Sequence, residues 1–289
     1  MSGTTSLTDV AYQIQTKWSS LFMAELRESY MLQSLCSKEY EGEIRNENDT
    51  VRVTQINAPS SSLKTIGTDA DTYEANVLST SYVDLKATKR AVSAVKFTDL
   101  VQIQSIIDPT NNPAIRNALM HDIGNQINDY LYSLMVPSTS APDHTIGSQA
   151  TLTEALIATM REDCSIAKWP KTSPWYCLMG PSYYSDFLAI NGVVSTDYGF
   201  QDQARVGGQF SQDRYGFKIY EDNSIATSTK LVSFLPEAIL FAAQTEPRIK
   251  VSDLHSNGEF GFALSIDLIF GAKLSVSGSS KMYTITSVA

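Results

Sequence analysis

The residues that most often carry out chemistry in proteins are few and widely spaced in this chain. It contains three cysteines and three histidines among 289 residues, with no C-x-x-C pair and no H-E-x-x-H motif. A zinc site needs clustered ligands, and a catalytic thiol needs a neighbouring base. The spacing therefore predicts no metal site and no disulfide framework. Cys36, Cys164 and Cys177 are interpreted as reduced cytosolic thiols, the last two within apolar core segments.

Motifs for nucleotide binding and hydrolysis are also missing from the sequence. It has no G-x-G-x-x-G, Walker A, EF-hand or G-x-S-x-G pattern. Its 31 aspartates and glutamates leave a glycosidase-type carboxylate pair open, but a solvated acidic surface is the simpler interpretation. We therefore expect no catalytic residue and no cofactor, and the chain is interpreted as a protein that is not an enzyme. A cytosolic hydrolase with an unrecognised carboxylate pair is the distant alternative.

Charge is instead concentrated in two short segments of opposite sign. Residues 39–49 are acidic, whereas residues 82–97 carry four basic side chains against Asp84. Complementary charges fix the register between two protein surfaces. We interpret the segments as contact surfaces between subunits, and two solvated hairpin limbs are the alternative of equal weight. The candidate interface residues are Glu39, Glu41, Glu43, Lys86, Lys89, Arg90 and Lys96.

The elements that hold these segments include a helix and two extended limbs. Apolar residues at steps of three and four predict a helix within residues 6–35. Alternating residues predict strands at 50–57 and 82–97, and the stretch between them is weakly apolar. Compact domains seldom contain structureless loops longer than about 15 residues. We therefore expect this excursion to be disordered or bound to a partner.

The clearest helix is predicted over residues 113–135. Asn112 is a favourable N-cap and Pro113 fits the first helical position. One face is uniformly apolar, with Ile115, Leu119, Ile123, Ile127, Leu131 and Leu134. This pattern predicts a helix about 34 Å long that spans a small domain.

The second half of the chain predicts a lobe of mixed helices and strands. Thr151 and Glu154 have capping-box spacing before a short helix, and Ser182 is expected to cap another. Residues 175–179 form an apolar run typical of a buried strand. Every even-numbered residue from 260 to 276 is apolar, and the odd positions include Ser265, Asp267 and Lys273, which predicts long strands with Gly271 at a bend between two strands or a bulge.

Composition sets limits on the partners. Apolar residues make up 43% and charged residues 18%, values typical of a folded protein. The formal net charge of -9 disfavours a surface that binds nucleic acid throughout. Neither a standard secretory signal nor an apolar stretch long enough to span a membrane is found.

The order of these elements resembles the major capsid proteins of tailed bacteriophages, which share the Hong Kong 97 fold. The similar stretches are the loop limb at 83–87 and 97–100, the helix start at 112–116, and residues 215–223 and 235–243. The resemblance covers nearly the whole chain. It implies an α+β fold with an N-terminal arm, an extended β loop, a peripheral domain with a long spine helix, and an axial domain.

The resemblance also implies a division of the chain. The arm is expected at 1–38 and the extended loop at 39–98. The peripheral domain is expected to be discontinuous, with the spine helix in 99–150 and C-terminal strands in 240–289. The axial domain is expected at 151–239.

The function implied is self-assembly as hexamers and pentamers into the icosahedral head that encloses double-stranded DNA. The expected location is the virion, with assembly in the host bacterial cytoplasm. Expected partners are other copies of the chain, a separate scaffolding protein, a portal and weakly held DNA, but no membrane; a decoration protein is left open. Lys64 has no assignable partner for cross-linking. An encapsulin, the nanocompartment shell of the same fold, is the nearest alternative.

Overall fold

The computed structural model describes most of the chain in eight segments. These are residues 31–44, 49–59, 77–99, 112–136, 142–190, 211–225, 229–255 and 260–286, with only the backbone given at 211–214. Most of the helix predicted within 6–35 lies outside them, and its described part is α1 (Leu32–Leu35). Lys64 and most of the weakly apolar stretch also lie outside the described residues.

The two extended limbs form a two-stranded antiparallel hairpin. It pairs β1 (Thr50–Ile56) with β2 (Thr80–Lys86), so that Thr50 lies opposite Lys86. The extended character predicted over 82–97 is confirmed, but it belongs to two strands, because the chain leaves the hairpin at residue 87 and continues as β3 (Lys89–Thr98) in another sheet. Each half of the limb therefore pairs with a different neighbour.

The second sheet is built around one long strand. The elements are β9 (Ile239–Ala243), β10 (Arg248–Asp253) and β11 (Gly261–Leu274), and β11 pairs with both of these and with β3. Even-numbered residues of β11 from Phe262 to Phe270 are buried, as the alternation predicts. No bend occurs at Gly271, which pairs with Ala242 in the ladder. A Cβ there would lie 2.2 Å from the Lys86 carbonyl oxygen, so glycine permits the chain to cross closely at this point.

The predicted long helix is present with the expected bounds. It is α2 (Pro113–Met135), and the Asn112 side chain accepts a hydrogen bond from the Ala114 N–H at 2.9 Å. Its buried side includes Leu119, Ile123, Ile127, Leu131 and Met135, which form the main core together with β11 and β3. This helix supports one face of the second sheet.

A six-stranded sheet forms the other half of the molecule. Its neighbours run in the order β4 (His144–Ile146), β12 (Met282–Thr286), β8 (Thr229–Phe234), β5 (Trp175–Met179), β7 (Phe217–Glu221) and β6 (Ser211–Arg214). Strands β4 and β12 lie in ranges that the sequence analysis assigned to the peripheral domain. They are hydrogen-bonded to each other, and β12 also to β8, so this sheet crosses the expected boundaries at 151 and 239.

Two helices cover one face of this sheet. They are α3 (Glu154–Ile166) and α4 (Pro181–Ala189). The cap of α3 is Thr153 rather than Thr151, since the Thr153 hydroxyl accepts from the Leu156 N–H at 3.3 Å. Helix α4 starts directly after Gly180 with proline in its first turn and has no side-chain cap. Both predicted caps were therefore misplaced, although both helices exist.

Strand alternation places a separate core on each face of the six-stranded sheet. Cys177 and Met179 pack with α3 and α4, whereas Leu178 and Val232 join the core around α2. All three cysteines are buried and free, in agreement with the expectation of thiols. Burial raises the pKa of both Cys36 and Cys164 to about 12, which disfavours the reactive thiolate. No helix within the described segments is long and apolar enough to cross a bilayer.

Candidate assembly interface

The acidic segment predicted from the sequence begins with a compact turn. Glu39, Glu41 and Glu43 are exposed, and backbone hydrogen bonds from Glu41 to Lys38 and from Glu43 to Tyr40 close two successive turns. We refer to residues 39–43 as the acidic turn. Tyr40 packs against a small core that contains Ile44, Leu85, Leu240 and Ala242. The three carboxylates thus lie on a turn that Tyr40 fixes to the small core.

The β1–β2 hairpin is anchored at the same small core. Val51 and Val53 pack against it, whereas Ile56, Val77 and Leu78 at the far end are exposed, Val77 to 90%. In the middle, Arg52 makes a 2.8 Å ion pair with Asp84 and lies 4.2 Å from the centre of the Tyr82 ring. The hydrogen bond from Arg52 lowers the pKa of Asp84. Exposed apolar groups at the tip are typical of a surface that another molecule covers.

The four predicted basic residues do not form one surface. Lys86 ends β2, and the Lys89 ammonium lies 5.0 Å from the centre of the Tyr130 ring on the α2 side of the sheet. Arg90 and Lys96 occupy alternate positions of β3 and point to the opposite face. Strand alternation divides the segment, and a count of charges along the sequence cannot detect this. Their participation in subunit contacts stays a prediction.

Two further basic residues join Arg90 and Lys96 on that face. Antiparallel partners share a face, and the register places Arg248 opposite Asp267 and Lys250 opposite Ser265. We call this group, with Asp267, the basic sheet face. Arg248 and Lys250 were missed by the sequence analysis. A signal was available in the sequence, because basic and apolar residues alternate from Arg248 to Val251. This alternation does not reveal which strand lies beside β10.

Asp267 holds two of these side chains together. Its Oδ2 accepts hydrogen bonds from Arg90 Nε and Nη2 at 2.9 and 2.7 Å and from Arg248 Nη2 at 2.7 Å. Its Oδ1 is buried without a hydrogen-bond partner. Burial acts to raise the pKa of Asp267, but the hydrogen bonds and charges of the two arginines outweigh it and lower the pKa. The carboxylate therefore stays ionised and fixes both guanidinium groups.

A buried polar network joins α2 to the six-stranded sheet. The Tyr132 hydroxyl donates to Asp222 Oδ2 at 2.6 Å, and Ser224 donates to Asp222 Oδ1 through both its N–H and its hydroxyl. Asn128 Nδ2 donates to the Ser224 hydroxyl at 2.6 Å. Burial is the main reason why the pKa of Tyr132 lies well above its usual value. The network ties the helix to the end of β7.

An open cleft of about 710 Å³ lies at the end of the six-stranded sheet where β5 and β7 begin. Its lining includes Arg161, Lys171 and Lys218 beside Trp175 and Tyr215. Arg161 donates to the Tyr215 carbonyl and its guanidinium lies 5.8 Å from the Trp175 ring centre. Among the described residues, no carboxylate, histidine or cysteine lines this cleft, and no group of three metal-ligating side chains is found.

Comparison of the sequence with known families and curated proteins yields no match. Comparison of the structure with solved structures yields matches over nearly the whole chain. A protein of Mycobacterium phage Che8 superposes with a TM-score of 0.76 at 16% identity, over 94% of this chain and 96% of that one. A chain from the capsid of cyanophage P-SCSP1u gives 0.72 at 13% identity, over 96% and 94%. This chain has the Hong Kong 97 capsid fold.

The Hong Kong 97 fold extends to a more distant structure. A chain from the mature capsid of bacteriophage PhiM1 matches with a TM-score of 0.60 at 10% identity, over 93% of this chain and 92% of that one. The α+β class and the fold expected from the resemblance are confirmed. At these identities individual side chains are not carried over from the matching proteins.

Proposed function

We propose that this chain is the major capsid protein of a tailed bacteriophage. In this proposal it assembles as hexamers and pentamers into the icosahedral head around double-stranded DNA and becomes part of the virion. The observation that carries the proposal is the match to the cyanophage P-SCSP1u capsid chain, which leaves only a few per cent of either chain uncovered.

The distribution of apolar surface supports assembly. The hairpin tip exposes Ile56, Val77 and Leu78, and β10 exposes Ile249 and Val251. A stable monomer normally keeps such groups covered, so both regions are suited to contact with other copies. We place the extended loop, which includes this hairpin, over a neighbouring subunit. A separate scaffolding protein, a portal and weakly bound DNA belong to the same proposal.

The proposed division into domains takes account of the sheets. The spine helix α2 and the sheet around β11 form the peripheral domain, and the six-stranded sheet with α3 and α4 forms the axial domain. Strands β4 and β12 are added to the axial domain because they hydrogen-bond into its sheet. The N-terminal arm is proposed to end near residue 38, where the acidic turn begins.

The test is direct observation of the assembled product. The full chain is purified from bacteria with and without a co-expressed scaffolding protein and imaged by negative-stain electron microscopy. We expect closed icosahedral shells that sediment far faster than a subunit. Light scattering that shows only monomers or dimers at every concentration, with scaffold present, would contradict the proposal. Shells that form without scaffold and recruit an enzyme through a cargo peptide would instead identify an encapsulin.

A further inference from the structure

Within the described part of the chain, α2 covers β3 and β11 of the sheet formed by β3, β11 and β10 on one face. Leu264, Ile266 and Leu268 of β11 point into the core beneath α2. On the opposite face Ala94, Lys96 and Lys250 are exposed. Between the charged residues this face carries Val92, Ala94 and Ser265, and Val92 is 40% exposed. This face is therefore accessible in the described part of a single subunit.

The charge of this face is opposite to that of the whole protein. Arg90, Lys96, Arg248 and Lys250 stand against Asp267, which is the one carboxylate that these three strands place there. The whole chain has a formal charge of -9. Basic side chains thus outnumber the carboxylates that these strands place in this small area, and such a surface attracts an acidic one.

The two arginines are already held in position for a partner. Asp267 is 4% exposed, yet the side chains that it binds remain 59% exposed at Arg90 and 43% at Arg248. Both guanidinium groups therefore keep donors available to a second carboxylate. Because Asp267 fixes them beforehand, little side-chain entropy is lost when that carboxylate binds.

The acidic turn offers a matching set of acceptors. It presents Glu39, Glu41 and Glu43 on a closed turn, with Tyr40 anchored in the small core. Its three carboxylates are opposite in sign to the side chains that dominate the basic sheet face. Both surfaces are carried by every copy of the chain, so the stoichiometry is fixed at one to one.

We propose that the basic sheet face of one subunit binds the acidic turn of another copy. The inference rests on the proposed shell function and specifies one of its contacts. DNA is the other polyanion to consider, but the net charge of the subunit repels it, whereas the acidic turn is present at equal concentration. In this proposal Arg248 and Lys250 belong to the interface. Lys89 does not, because it lies on the side of the sheet that faces α2.

The test uses two variants with opposite charge changes. The first replaces Lys96 and Lys250 with glutamate, and it spares Arg90 and Arg248 because these hold Asp267. The second replaces Glu39, Glu41 and Glu43 with lysine. We expect each variant alone to require at least about tenfold more protein for assembly at low salt, because like charges then meet. Analytical ultracentrifugation measures this threshold, and circular dichroism verifies that both variants fold.

Mixing the two variants gives the decisive measurement. The acidic face of the first then meets the lysine turn of the second, and the unaltered turn of the first meets the unaltered face of the second. We expect the mixture to assemble at a lower protein concentration than either variant alone. We also expect the differences to shrink at 1 M salt, where the Debye length is about 3 Å. The matched control replaces Lys171 and Lys218 in the cleft with glutamate, and it is expected to assemble like the wild type.

Other outcomes separate this inference from the function beneath it. Wild-type shells with unchanged assembly of both variants, or no recovery on mixing, would overturn the contact and leave the capsid proposal standing. Unchanged assembly of the first variant with lost retention of a double-stranded DNA fragment would assign the face to DNA and also overturn the contact. A wild-type chain that stays monomeric under all conditions would contradict both proposals.

Discussion

The sheet around β11 and the β1–β2 hairpin are both antiparallel and similar in residue type, yet they are stabilised differently. The sheet buries one face under α2, and Leu264 and Ile266 are fully covered. The hairpin has a core only at its base and exposes Ile56 and Val77. Burial of apolar area is the main favourable term in folding. Strand β11 is therefore covered within its own chain, whereas the hairpin and the edge strand β10, which exposes Ile249 and Val251, need a neighbour for the same burial.

The sharpest test of this contrast removes apolar groups from the completed region. Leu131 on α2 is fully buried in the main core. Leu131→Ala is expected to lower the free energy of unfolding by about 2–5 kcal/mol, because it leaves a cavity. Urea denaturation followed by circular dichroism measures the loss. A change below about 1 kcal/mol would mean that the core under α2 is less tightly packed than the structure indicates.

A smaller effect is expected on the uncovered face of the same sheet. Asp267→Asn weakens the hydrogen bonds to Arg90 and Arg248 and is expected to cost about 1–2 kcal/mol at neutral pH. The lowered pKa of Asp267 means that its contribution is present above the ordinary value of 3.8 and is lost as pH falls through the folded value. Denaturation midpoints between pH 2 and pH 7 should therefore converge for wild type and variant in acid. A constant difference across this range would show that ionisation of Asp267 does not contribute.

The smallest effect on stability is expected at the hairpin tip. Replacing Ile56 and Leu78 with serine should change the free energy of unfolding by no more than about 0.5 kcal/mol per site, because both are exposed in the subunit. The same variant should need a higher protein concentration for assembly, which sedimentation measures. Equal assembly of variant and wild type would remove the hairpin tip from the proposed contacts.

Local signals explain the elements that were predicted well. The Asn112 cap, Pro113 and the regular apolar spacing lie within one helix, and the observed bounds agree with them. The long strand β11 was recognised from its own alternation, although its odd face contains the buried Asp267. Both features are read from neighbouring residues, and tertiary structure adds little to them.

Features that depend on distant contacts could not be predicted in the same way. The limb at 82–97 divides between two sheets because the chain crosses β11 at Gly271, far away in the sequence. The arginines at 90 and 248 meet only through Asp267 and the register of three strands. Helix α3 is capped by Thr153 and not by Thr151, and residue types alone do not distinguish these two threonines as caps. The sequence thus predicted which segments of the candidate site are charged, but it did not predict which side of the sheet each charged residue occupies.

Strand β9 has a mechanical consequence. Ile239 and Phe241 face the main core, whereas Leu240 and Ala242 face the small core at the base of the hairpin. This five-residue strand is packed on both sides, and it therefore forms a rigid support for the base of the hairpin. When a load is applied at the tip, we expect the hairpin to bend along its length or to tilt the whole subunit, and not to swivel at its base. In an assembled shell, the orientation of the hairpin would then indicate the orientation of the whole subunit to which it belongs.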